Sequence, residues 1–333
     1  MSRLHTLLRT GLAAAATAAV LATAALPARA VELTVTHWGA LMYGVPFAVA
    51  KEKGYFKEAG VPVDGFITSK GGGTTLRNAL AAEVPYGEAS LAAVVAAAQE
   101  GVPLTIVHSG VQSAGDILWV ARKDDDSIST IHDLKGKKVS YTSPKSVSQM
   151  LLVMSLDMAE LNDGKDLETV SLGGISAGLT ALDEKGVDAA AILEPIWSKY
   201  KDKYKVVFNV NDLLPPVTQT VGVVRTDWLA ENADTVAGII EARRKGVDFI
   251  YQNPAEAAQI LAEAYDMDPA LAKSAVDNVV AMKYWSPGGF DYDGMSNMVQ
   301  GLKLVGAMDR DAEVDWSTMV DESYLPDDLR TKM

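Results

Sequence analysis

The chain has 333 residues, 48% of them hydrophobic and none of them cysteine, with a formal net charge of −13. That length allows two domains of ordinary size, each able to bury a core. The acidic balance opposes binding to nucleic acid and anionic lipid. The missing thiol excludes disulfides, thiol catalysis, cysteine-ligated metal and a lipid-modified cysteine at a cleavage site.

Residues 1–30 read as a secretory signal peptide. Arg3, His5 and Arg9 make a basic start, Gly11 to Leu26 is almost wholly Ala, Leu, Val and Thr, and "PARA" places Ala28 and Ala30 as the small residues of a cleavage site. The alternative is an uncleaved anchor, which a short run rich in weakly hydrophobic Ala disfavours. The mature chain is expected to start at Val31 as a soluble periplasmic protein without a lipid anchor.

From there strand and helix patterns alternate. "VELTVTHW" alternates polar and apolar residues as a half-buried strand does. "VPFAVAKEKGYF" reads as a helix with Pro46 in its first turn. Next come strand "VPVDGFIT", helix "TTLRNALAA", strand "VPYGEAS", helix "LAAVVAAAQEG" and strands "PLTIVHSG" and "DILWVAR". Close alternation of this kind makes a parallel α/β layer. After the polar "DDDSISTIHDLKGK", with Asp133 as a candidate cap, the pattern restarts with "KKVSYTS", a helix over 146–161, "LETVSLG", "SAGLTALDEKG" and "VDAAAIL". The restart implies a second α/β domain from about Gly115 to Val217. Beyond "TQTVGVV" the chain reads as mainly amphipathic helix, and the polar tail "DESYLPDDLRTKM" is expected to fray.

Candidate site residues cluster where strands end, because open α/β sheets bind ligands beyond the carboxyl ends of their strands. "TSKGGGTTLRNAL" lacks the Lys-Ser or Lys-Thr of a phosphate loop, and its adjacent glycines do not match a dinucleotide fingerprint. Gly72, Gly73 and Thr74 instead suit a helix N-terminus whose amides bind polar oxygen atoms; a tight turn without ligand is the plainer alternative. "HWGALMYG" offers Trp38, Gly39 and Tyr43 at the end of the first strand. Ser90 and Ser109 end two further strands. "YTSPKSVSQ" sets Ser143, Ser146 and Ser148 at a second helix start, where ordinary capping also uses serine. "ILEPIW" supplies Glu194 and Trp197. Catalytic patterns are scarce: His37 and His108 follow strands and so could lie near a pocket, though a satisfied structural role is the plainer reading; the Ser198-to-Lys201 spacing reads as chance, and "DYDG" lacks the other ligands of a calcium loop.

The segments "AKEKGYFKEAGVPV", "GGGTTLRNALAAEVPYGEAS", "AAAQEGVPLTIV", "DLKGKKVSYTSPKS" and "ALDEKGVDAAAILEP" follow one another at characteristic spacing. In this the chain resembles the nitrate/sulfonate/taurine-type periplasmic substrate-binding proteins of ABC importers, which include binders of pyrimidine precursors. The resemblance implies an α/β fold of two lobes, the type II Venus-flytrap architecture, each a mostly parallel sheet flanked by helices. Residues 31–114 and 218–333 would form lobe 1 and residues 115–217 lobe 2, with crossings near Ser113–Leu118 and Val217–Gly222. It further implies a monomeric binder, without cofactor, metal or turnover, that passes a small solute to a membrane permease and its ATPase. The implied site comprises the residues named above with Ala89, and more weakly Trp285, while Lys70, Arg77 and Lys145 are the only cations near the motifs. A carboxylate at Glu194 would repel a bare anion, so nitrate is disfavoured against a taurine-like aminosulfonate or a pyrimidine. Two alternatives stand beside this: an enzyme of the pyrimidine-precursor-synthase type on the same fold, which the missing cysteines disfavour, and a sensor domain that presents its ligand to a receptor.

Overall fold

The computed structural model describes residues 31–331; the expected signal peptide lies outside the described residues. The first sheet opens with Val31–Thr36 (β1), followed by helices Val45–Glu52 (α1) and Tyr55–Glu58 (α2). Strand Val63–Ser69 (β2), helix Gly72–Ala81 (α3), strand Tyr86–Ser90 (β3), helix Leu91–Gln99 (α4) and strand Leu104–Ser109 (β4) continue it. The chain then crosses to a second sheet made of Leu118–Arg122 (β5), Lys138–Tyr141 (β6), Glu168–Ser171 (β7), Ala189–Ile192 (β8) and Tyr204–Asn209 (β9). Its helices are Val147–Met158 (α5), Ile175–Asp183 (α6) and Ile196–Tyr200 (α7). Strand Thr220–Arg225 (β10) returns to the first sheet. Helices Thr226–Glu231 (α8), Ala233–Gln252 (α9), Pro254–Ala264 (α10), Pro269–Ala281 (α11) and Tyr292–Leu304 (α12) follow.

Strand order is β2-β1-β3-β10-β4 in one sheet and β7-β6-β8-β5-β9 in the other. In each sheet the first strand after a crossing, β5 or β10, runs antiparallel to both neighbours, while β1, β2 and β3, or β6, β7 and β8, pair in parallel. The central strands β3 and β8 are buried throughout. Helices cover them on both faces, which is why β8 reads as an uninterrupted apolar run. The two lobes touch beyond the crossings, α12 packing on both α4 and α5, and α11 on α7.

Two local expectations change, and one element is added. Helix α3 starts at Gly72 rather than at Thr74, so Gly72 and Gly73 form its first turn and Gly71 is the N-cap. The stretch after Lys201, for which the sequence predicts no element, contains strand β9. The polar tail is held rather than frayed: Leu325 is buried, the Asp328 carboxylate accepts two bonds from Arg244, and Tyr292 donates to Glu322 at 2.6 Å.

Candidate functional site

A pocket of about 30 Å³ lies between the lobes, at the carboxyl ends of the parallel strands of both sheets. From the first lobe it is lined by Thr36, His37, Leu41, Tyr43, Gly71, Gly72 and Ser90. From the second come Thr142, Ser146, Val147, Ser148, Ile175 and Leu193. No lysine, arginine, aspartate or glutamate is among these.

Two helix starts face each other across this pocket. The first-turn amides of a helix have no intrahelical partner, and its N-terminus carries partial positive charge. Gly71 caps α3 with φ of +83°, a conformation that L side chains rarely adopt, and a Cβ there would come within 2.3 Å of the Ser143 hydroxyl of the other lobe. At Gly72 a Cβ would stand 2.7 Å from the Lys145 carbonyl. Glycine therefore serves close approach between lobes as well as backbone freedom. On the facing side Ser146 caps α5, accepting from the Gln149 amide at 3.2 Å. Thr142 donates its hydroxyl to Ser146 at 3.0 Å and shares a hydrogen bond with Ser148 at 2.8 Å. The lobes are stitched at the same place by Ser90 Oγ donating to the Lys145 carbonyl at 3.3 Å and by the Lys145–Glu100 ion pair at 3.0 Å.

The pocket is electrically quiet. Burial, followed by the positive charge of Lys70, holds the His37 imidazole down at about 4, so the ring is neutral at pH 7. Its Nε2 faces the Gly71 N–H at 3.4 Å. Tyr43 is pushed well above its usual value by burial and by nearby Asp116. Its hydroxyl donates to Gln219 Oε1 at 2.9 Å, joining the pocket wall to the second crossing. Among the described residues no group of three or more His, Cys, Asp or Glu is arranged to hold a metal ion.

Of the residues expected from sequence, Tyr43, Gly72, Ser90, Ser146 and Ser148 line this pocket. Ser143 sits at its rim against Gly71. The others lie elsewhere. Trp38 stacks on Phe66 with ring centres 4.1 Å apart and meets Tyr265 edge-on, because the loop after β1 turns its indole back toward the first lobe. Gly39 and Thr74 are exposed, and Gly73 is half-buried on α3. Ser109 is fully buried in β4 and Trp285 is enclosed, donating its Nε1–H to the Met42 carbonyl at 3.1 Å. Lys70 and Arg77 are exposed, and the Lys145 side chain turns outward to Glu100.

Glu194 and Trp197 line a separate cavity of about 280 Å³ with Asp116, Asn209, Asn278 and Met282. Beyond the end of β8 the chain lines the interlobe pocket at Leu193 and the separate cavity at Glu194, one residue later in the turn. The objection to a bare anion based on Glu194 therefore loses its footing. The lining residues that sequence reasoning did not assign to the site are Thr36, Leu41, Gly71, Thr142, Val147, Ile175 and Leu193, and His37, weighed there as mainly structural, also lines the pocket.

Comparison with known proteins agrees with this architecture. The alkanesulfonate-binding protein SsuA of Xanthomonas axonopodis pv. citri, in a structure bound to MOPS, superposes with a TM-score of 0.72 at 16% identity, covering 90% of this chain and 100% of its own. The periplasmic nitrate-binding protein NrtA of Synechocystis PCC 6803 reaches 0.68 at 15% identity, covering 88% of this chain and 86% of its own. At those identities the likeness speaks for the fold, a two-lobed periplasmic-binding-protein architecture. In sequence, the Bacillus subtilis protein YtlA, which carries the name of a binding protein, is 23% identical over 84% of this chain and 82% of its own length. A similarly named protein of Brucella abortus is 26% identical over 46% of this chain, which spans about half (48%) of that relative. The family described as NMT1/THI5 like matches residues 42–257, well over half of the chain, and the chain belongs to that family.

Proposed function

We propose that this protein is an extracytoplasmic solute-binding protein that encloses a small solute with an oxyanionic head, sulfonate-like in chemistry, between its lobes. The observation that carries the reading is the convergence of two helix N-termini, one from each lobe, on a single pocket walled by hydroxyls and free of charged side chains. Such ends stabilise negative oxygen atoms through amide donors and helix dipoles without a cationic side chain. Contacts from both lobes to one solute favour the closed arrangement. Gly71, Gly72, Ser90, Thr142, Ser146 and Ser148 would supply polar contacts, with Tyr43 and neutral His37 as walls. Delivery to an ABC permease with its ATPase, a periplasmic location and a monomeric state complete the proposal.

The enzyme alternative receives less support, since the titratable side chains lining the pocket are a neutral histidine and an un-ionised tyrosine. A thermal-unfolding screen against alkanesulfonates, aminosulfonates, nitrate, carboxylates and pyrimidines tests the reading. A true ligand at a hundred times its dissociation constant should add about 2.7 kcal/mol of stability. Stabilisation by pyrimidines alone, or consumption of the stabilising compound, would overturn it.

A further inference from the structure

We propose that Asp116 and Glu194 form a proton-sensitive clasp that holds the two lobes closed from outside the solute pocket. The two carboxylates are neighbours by register. Strand β5 pairs antiparallel with β8 as Leu118↔Ile192 and Val120↔Ala190. Continuing that register two residues past Leu118 sets Asp116 opposite Glu194. Asp116 lies in the first crossing, two residues before β5, and Glu194 lies two residues beyond β8 in the second lobe; both reach to the first lobe's returning chain. Asp116 Oδ2 accepts from the Tyr284 hydroxyl at 3.0 Å, and Glu194 Oε1 accepts from Asn278 Nδ2 on α11 at 2.7 Å. Asp116 Oδ1 also accepts from Gln219 of the second crossing at 3.0 Å. Since Gln219 accepts from Tyr43, the clasp is wired to the pocket wall.

The surroundings are those of a group whose charge is costly. Asp116 and Glu194 are 3% and 2% exposed. The cavity between them and α11 is lined by Leu118, Trp197, Ala281 and Met282 but by no lysine or arginine. Burial, with Glu194 adding repulsion, raises the Asp116 carboxyl to about 7 against the pull of Gln219 and Tyr284. Burial also raises Glu194, opposed by Asn278, Ser198 and the charge of Lys201. The acidic groups facing this pair are thus each other and the un-ionised Tyr284, behind which stands Tyr43.

Opening the lobes would withdraw Asn278, Met282 and Tyr284 and let water reach both carboxyls. Their pKa values would then fall toward the ordinary range, so the closed state holds the extra proton. Closure is favoured as pH falls through about 7 and weakened as it rises. One proton linked in this way changes the closed-to-open ratio by up to about tenfold per pH unit between the two states' titrations.

The absence of cysteine makes the test direct. Spin labels on Arg77→Cys of α3 and Thr180→Cys of α6, both exposed and on opposite lobes, report the interlobe distance with no solute added, from about pH 5.5 to 8.5 across the window in question. The short-distance population should grow as pH falls, and Asp116→Asn should flatten that dependence. Asn278→Ala, on the exposed side of α11, should lower the closed population at every pH. A distance distribution indifferent to pH, an Asp116→Asn variant that follows the parent, or an Asn278→Ala variant identical to it would each overturn the clasp. Because no solute is present, this outcome is separate from that of the solute screen.

Discussion

Among the described residues, the most heavily enclosed charged pair is not at the pocket. Arg243 on α9 and Glu88 on β3 are 1% and 0% exposed and pair at 2.8 Å. Nη1 and Nη2 of the guanidinium donate to the Ser286 and Gly110 carbonyls, and Glu88 also accepts from Thr220. This network pins the returning chain to the strand that leads into the pocket. Truncating one partner leaves the other charge buried and uncompensated, so Arg243→Met should cost about 3–5 kcal/mol in urea unfolding. A second residue-scale effect depends on pH. His108 is fully buried beside Tyr86, with burial first and the Arg243 charge second lowering it to about 3. Its unfolded form takes a proton near 6.5. The unfolded chain therefore binds more protons over that interval, and the stability present above about pH 6.5 is lost as pH falls toward 3. His108→Gln should show a shallower acid-side decline in the urea midpoint than the parent. Asp116, with a raised value, works in the opposite sense, its contribution fading as pH rises through about 7.

At the scale of elements, the pocket is made by how helices begin. The α3 start depends on glycine at a positive φ, and the α5 start on a serine cap. Ser146→Ala should therefore act twice. It should cost about 1 kcal/mol of stability through the lost cap, and it should weaken solute binding, as isothermal titration with the ligand from the screen would measure. Much of this was readable in advance. The amphipathic pattern beyond β10 is helical, α9 included, the serine-rich segment opens α5, and the glycines open α3 as a helix start. What was not readable has physical causes. Trp38 follows a strand end, where aromatics can stack on ligands, but its indole packs on Phe66 and Tyr265 within its own lobe instead. Glu194 does follow a strand end, but in the turn beyond β8 it lines the cavity beside Asp116 rather than the pocket between the helix starts.

At the scale of the whole molecule, the lobes meet at points that tolerate no added bulk. A Cβ at Gly72 would press on the backbone carbonyl of Lys145, which cannot rotate away as a side-chain tip could, and on Ala93 and Ser90 at 3.1 Å. Gly72→Ala should leave each lobe folded but hold them apart. The expected readouts are a larger radius of gyration in small-angle scattering with solute present and a loss of affinity of tenfold or more, about 1.4 kcal/mol. An unchanged scattering profile with full affinity would show that closure does not need this approach.

The amino-acid sequence by itself determined the alternating α/β pattern, its restart near the middle of the chain, and the two hydroxyl- and glycine-rich helix starts, because local periodicity, capping and turn chemistry are properties of neighbouring residues. It also carried the family resemblance in the order of those segments. Only the tertiary structure decided which strand-end residues share a pocket, that this pocket excludes Glu194 and admits a neutral His37, and that two carboxylates far apart in sequence stand side by side against α11. Those outcomes depend on register and on the approach of two lobes, and both are set by packing between segments that no local stretch of sequence encodes.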